Sequence, residues 1–169
     1  MLLTALLILL PFYSQAETRY QTSEQFIQQA LGMMPTALVL WLDKPQQHQV
    51  EQILAHTGSR HRYRCWRSGK QSVWVLDEVG KEAPITVGIH IANGKIVTTR
   101  VLVYRESRGD EVRHEFFTDQ FKTAALTEEL QLDRHIDGIT GATLSVRALT
   151  KLSRIALYLD SLVQTGDPQ

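Results

Sequence analysis

The chain has 169 residues, 43% of them hydrophobic and 21% charged, the size and balance of one domain with a real core. Eighteen Lys and Arg offset eighteen Asp and Glu, so no net field draws in a nucleic-acid backbone or an anionic membrane, and a nucleic-acid partner is disfavoured. Cys65 is the single cysteine, which excludes an intrachain disulfide and reads as a small packing residue.

The chain opens on "MLLTALLILLPFYSQAETRY". An apolar run from Leu2 to Leu10 is followed by Pro11 and by Ser14-Gln15-Ala16, small residues at the two positions a signal peptidase reads. Residues 1–16 are therefore expected to be a cleaved export signal, too short for the roughly 20 residues of a spanning helix. No Lys or Arg precedes the run, and an uncleaved anchor is the alternative. A domain exported in this way is expected in the periplasm or on the outer face of the cytoplasmic membrane.

Residues 17–69 read as a helical and mixed flank. "EQFIQQAL" places Phe26, Ile27, Ala30 and Leu31 on one helical face behind Ser23 as cap. "TALVLWL" is strand-like, and "QHQVEQILAHTG" predicts a second helix ending near Gly58. Residues 70–169 are expected to form the main body of one globular unit with the flank. "SVWVLDEV", "ITVGIHI" and "KIVTTRVLVY" are rich in β-branched and aromatic residues, and Asn93-Gly94 predicts a hairpin between the last two. "EVRHEFFTDQF" fits neither period and is open between a strand and a short helix. From Leu144 onward Leu149, Leu152, Ile155, Ala156, Leu159, Leu162 and Val163 recur at helical steps, with Arg147, Lys151, Arg154 and Asp160 on the polar side. That predicts a C-terminal amphipathic helix of about five turns, stopping before Gly166 and Pro168. The class is α+β, an antiparallel sheet flanked by helices.

The stretch "DGITGAT" hands over to that helix. A helix N-terminus exposes backbone N–H groups and the positive end of the helix dipole, which suits a phosphate. Gly141 and Ala142 permit close approach, Gly138 permits a conformation a larger residue resists, and Thr140 and Thr143 offer hydroxyls. A capped turn with no ligand explains the same local residues. The six histidines, His48, His56, His61, His90, His114 and His135, show no metal-site spacing. Ser145 lies in no nucleophile elbow.

Asp137, Thr140, Gly141, Ala142 and Thr143, in that order and spacing, resemble the flavinylation motif of the FMN-binding domain family. The family is known from the flavin-carrying subunits of sodium-pumping NADH:quinone reductases and Rnf-type complexes, and from small exported proteins. The resemblance extends over residues 70–163, through the hairpin to the loop "RESRGDE" with Glu106 and Gly109. It implies FMN held covalently, through a phosphoester on Thr143, by an FMN transferase that uses FAD and magnesium. It also implies cofactor contacts from Asp137, Gly138, Ile139, Thr140, Gly141, Ala142, Leu144 and Glu106. Glu78, Arg108, Tyr104 and the tryptophans Trp41, Trp66 and Trp74 are further candidates for tuning or stacking on the flavin, each with an ordinary surface or core role as the simpler alternative. The respiratory subunits are held by a transmembrane helix, whereas this chain has only the signal-like segment. The expectation is thus an exported electron-transfer flavoprotein that exchanges electrons with a membrane redox protein, rather than an enzyme with its own substrate. A non-redox module binding a phosphate-bearing ligand or a partner protein is the alternative.

Overall fold

The computed structural model describes residues 17–165. The signal-like segment and the expected stop at Gly166 and Pro168 lie outside the described residues. In chain order the elements are β1 (Thr18–Arg19), α1 (Ser23–Leu31), β2 (Leu38–Trp41), α2 (Lys44–Leu54), β3 (Arg62–Ser68), β4 (Gln71–Val79), β5 (Pro84–Ala92) and β6 (Lys95–Tyr104). A 3₁₀ turn (Asp110–Arg113), α3 (Glu115–Thr118), a second 3₁₀ turn (Asp119–Phe121) and α4 (Thr143–Thr165) follow. The strands form one antiparallel sheet in the order β1-β6-β5-β4-β3-β2, and the class is α+β.

Three expectations on element ends are corrected. The cap of α1 is Thr22, not Ser23, because the Thr22 hydroxyl accepts from the Gln25 N–H while the Gln25 side chain accepts from the Thr22 N–H. Asp43 and Gln46 cap α2 in the same reciprocal way, and α2 ends at Leu54, short of Gly58, with Ala55 in the left-handed conformation. The C-terminal helix runs 23 residues, about six turns rather than five, and takes in Thr143. The segment "EVRHEFFTDQF", open between strand and helix, is a run of short helical turns that buries Phe117 edge-to-face on Phe121 at 5.6 Å.

A strand over Arg62–Ser68 was not expected. Its alternation is regular, with Tyr63 and Cys65 buried and Arg62 and Arg64 exposed, and it joins the flank to the sheet through the β3–β4 hairpin. Burial pushes the Cys65 thiol up to about 11, so it is an unreactive core group. Asn93 and Gly94 both take positive φ, 51° and 72°, as a two-residue hairpin turn with the right-handed twist requires.

The period-2 rule divides the sheet into two faces. Trp74, Leu76, Ile85, Val87, Ile89 and Ile91 pack under α4 and α2 in the larger core. Phe26 and Ile27 of α1 pack on Val73, Leu102 and Val103 on the opposite face. Gly88 seats α1, since a Cβ there would lie 2.5 Å from Cδ1 of Phe26. Asp160, expected on the polar side of α4, is buried instead. The Ser72 hydroxyl donates to its Oδ1 at 2.6 Å and accepts from Trp74 Nε1 at 2.9 Å, so one hydroxyl serves two buried polar groups.

Two stability outcomes follow. Gly88→Ala should cost about 1–3 kcal/mol by overpacking, and much less in a Phe26→Ala background, because the methyl then occupies space the ring has left; urea unfolding of the four variants reads the coupling. Ser72→Ala should cost about 1–3 kcal/mol for the Trp74 donor it orphans and for the Asp160 bond it removes, Gln164 Nε2 at 3.2 Å being the donor left to that carboxylate, and a loss below about 0.5 kcal/mol would show that the hydroxyl is not a required partner of Trp74.

Candidate functional site

The motif loop is built as a turn followed at once by a helix. The Ala142 N–H donates to the Ile139 carbonyl at 3.0 Å, closing a turn in which Gly141 has φ +86°. A side chain at Gly141 would be strained there. Gly138, expected to need conformational freedom, shows no such need: its φ is outside the left-handed range and its surroundings are open. The Val146 N–H donates to the Ala142 carbonyl at 2.9 Å, so Ala142 stands at the capping position of α4. Alanine has no side-chain acceptor to offer. Among the described residues no side chain accepts from the N–H of Thr143, Leu144 or Ser145, in contrast to the reciprocal caps of α1 and α2.

The loop after β6 holds that helix start in place. Val87 pairs with Val101 and Thr86 with Val103, so Leu102 is an extra residue in a β-bulge. Val101 faces the larger core, Leu102 and Val103 face α1, and Tyr104 returns to the larger core. The Tyr104 hydroxyl donates to the Arg108 carbonyl at 2.5 Å and lies 2.9 Å from Ser145 Oγ, which is then the donor to the phenol oxygen. Gly109, at φ +87°, fills the remaining space: a Cβ on it would lie 3.0 Å from Tyr104 Oη, 3.1 Å from Ser145 Oγ and 3.3 Å from Ala142 Cβ. Burial holds the Tyr104 phenol above its ordinary pKa, although the Ser145 hydrogen bond opposes this. It is a buried strut and not an exposed ring for stacking on a flavin, which corrects its candidacy.

Glu106 braces the neighbouring turn. Its Oε1 accepts from the backbone N–H groups of Lys81, Glu82 and Ala83, the last two at 2.8 and 3.1 Å. The β4–β5 connection, the β6 loop and the start of α4 thereby gather at one end of the sheet. The Glu106 carboxylate is engaged by that connection and makes no described contact with the motif loop. Asp137, Thr140, Gly141, Thr143 and Leu144 are exposed, Ile139 is half-buried and Ala142 is buried. The Asp137 N–H donates to Gln120 Oε1 at 2.7 Å, which ties the loop to the second 3₁₀ turn. The Asp137 carboxylate lies 3.6 Å from His135 Nε2, both fully on the surface.

The other candidates are distributed elsewhere. Glu78 is buried between His56 Nε2 and Lys151 Nζ, each at 3.3 Å. Trp74 is in the core, Trp66 packs beside α1, and Trp41 is exposed on the outermost strand β2. Arg108 is exposed and contributes its carbonyl to Tyr104. Sequence reading missed Ser145 and Gln120. The helical steps from Ala142 to Ser145 to Leu149 put Ser145 on the buried face and could have shown it; nothing local marks Gln120.

The residues present fit a phosphate ester. Thr143 is exposed on the first turn of a 23-residue helix, beside N–H donors with no side-chain acceptor and at the positive end of the dipole. Among the described residues no three His, Cys, Asp or Glu side chains gather as a metal site.

Comparison with curated proteins and with solved structures yields no match. Residues 80–158 match the model of the FMN-binding domain, a span that runs from the turn braced by Glu106 through the motif loop to the middle of α4. Over that span the chain is similar to the FMN-binding domain family, a likeness that supports a flavin-binding protein.

Proposed function

We propose that the protein is an exported electron-transfer flavoprotein whose FMN is attached through its phosphate to the Thr143 hydroxyl. The observation that carries this reading is the exposed Thr143 on an α4 whose first-turn N–H groups have no side-chain acceptor among the described residues. In the attachment step the Thr143 oxygen bonds to the flavin-side phosphorus of FAD, the bridging P–O bond breaks, AMP leaves, and the hydroxyl proton passes to the FMN transferase that holds FAD and magnesium. Thr143, Gly141 and the backbone of Leu144 and Ser145 would hold the resulting phosphoester, with the N–H groups donating to its oxygens. Bound there, the isoalloxazine supplies the one- and two-electron chemistry. The chain's own contribution is to hold the group: Tyr104, Gly109 and Ser145 fix the helix start against the loop, so the phosphate meets a preset arrangement of donors.

The covalent bond removes dissociation, which matters where released FMN would be lost to the exterior. Export past the inner membrane and a membrane redox protein as electron partner accompany this reading. Among the described residues no helix is long and apolar enough to cross a membrane.

The test is the intact mass of the protein produced with and without an FMN transferase. The adduct of one FMN less water is expected only with the transferase, on the peptide containing Thr143, and is lost in Thr143→Ala. Thr143→Ser should retain it. A protein that stays colourless and unmodified, or an adduct that survives Thr143→Ala, would overturn the assignment.

A further inference from the structure

The face of the sheet that carries α1 is open at its β2 edge. In the β2–β3 register Val39 lies opposite Arg64 and Trp41 opposite Arg62. Tyr63 and Cys65 point into the larger core, so Val39, Trp41, Arg62 and Arg64 share the opposite face. Trp66 and Val75, half-buried, floor an open groove of about 720 Å³ that reaches Ser23 and Glu24 at the start of α1.

Two properties make this surface unusual for a chain with no net charge. The first is apolar exposure: Val39 and Trp41, which line the groove, are 47 and 66% exposed. Such clustering marks an interaction surface. The second is unbalanced charge. Arg60, Arg62 and Arg64 line the groove, with Glu24 as its single carboxylate. Arg60 is paired with Asp77 at 3.2 Å, whereas Arg62 and Arg64 have no carboxylate partner among the described residues. The Arg62 guanidinium lies 5.9 Å from the Trp41 ring centroid, keeping a cation and an indole at one level.

We propose that this surface docks the protein on an anionic phospholipid bilayer, with Trp41 and Val39 at the headgroup boundary and Arg62 and Arg64 on lipid phosphates. An indole with an apolar body and a polar N–H suits that boundary, and a guanidinium takes a phosphate through two parallel N–H donors. Net neutrality removes long-range attraction, so the contact acts at short range and loosens with salt. The position also matters. The Arg60–Asp77 pair sets the start of β3 beside the end of β4, so Trp41 and Arg62 occupy the same end of the sheet as the β4–β5 connection and the start of α4. Docking there places the sheet between the bilayer and α4, with the Thr143 end of the molecule at the end of the sheet that Trp41 marks, whether or not a flavin is attached.

The experiment uses the exported protein and vesicles of phosphatidylcholine with and without phosphatidylglycerol, followed by co-sedimentation and by Trp41 emission taken as the difference between wild type and Trp41→Phe. Anionic vesicles should bind the protein, shift that emission to the blue and expose it to quenching by brominated lipid; neutral vesicles should do so weakly. Arg62→Gln and Arg64→Gln should each lower the partition coefficient about fivefold, with Lys122→Gln, on the far side of the fold, unchanged. Because both arginines and Trp41 are exposed, far-ultraviolet circular dichroism should be unaltered. Trp41 emission that ignores anionic vesicles, or binding that ignores both arginine variants, would overturn the proposal. Binding to an acidic protein with vesicles untouched would overturn it in favour of a protein partner.

Discussion

The bulge at Leu102 reverses the facing of the last residues of β6, and through that reversal Tyr104 reaches Arg108 and Ser145 together. In an unbroken ladder Val101 and Val103 would share a face and Tyr104 would point toward α1. With the extra residue, Tyr104 turns inward at the level where α4 begins, and its single proton and lone pairs join the strand, the loop and the helix. The tie lies in a buried setting, where an unmade hydrogen bond is costly. Gly109 and Ala142 are small for the same reason: any larger pair would separate the loop from the helix start.

That junction permits α4 to begin without a side-chain cap. A missing cap costs about 1 kcal/mol, and the two shorter helices avoid that cost with reciprocal Thr–Gln and Asp–Gln pairs. In α4 the cost is offset elsewhere. Leu149, Leu152, Ile155, Ala156 and Leu159 are buried along its length, and Asp160 anchors its far end to Ser72 under the sheet. A local rule of helix building is broken at one place, the start of α4 in the motif loop, and stability comes from the packing of the rest.

The legibility of these features in the sequence follows from their range. Strands β4 to β6 and the Asn93-Gly94 turn were readable because β-branched runs and turn residues act within a few positions. The helix start was readable to within one residue for the same reason, Leu144 against the observed Thr143, and residues 80–158 carry the family match that the motif foretold. Strand β3 is hard to read because Arg62, Arg64 and Arg67 interrupt it and hide the alternation of Tyr63 and Cys65. Gly138 and Gly141 could not be told apart by composition, since only the turn closed by Ala142 shows which of them needs positive φ. Glu106 was singled out for the flavin, yet its described bonds are to a turn some 24 residues earlier in the chain; such pairing depends on topology and leaves no local trace. The bulge behind Tyr104 is hidden likewise, because counting by twos along β6 assigns Tyr104 to the wrong face.

The same topology relates the motif end of the molecule to its open sheet face. β2 and β6 are four strands apart in the sheet order, about 19 Å at the usual strand spacing, and Trp41 on β2 lies at the end of the sheet where β6 hands over to the loop of Arg108 and Gly109. A rigid sheet converts contact at one edge into a fixed height and tilt at the other. With 18 charges of each sign, no global dipole is needed to orient the molecule; orientation can come from where Arg62 and Arg64, without a carboxylate partner among the described residues, sit beside the exposed Trp41 indole. Such placement orients a molecule more than net charge does, since net charge raises encounter in every orientation while a local patch selects one.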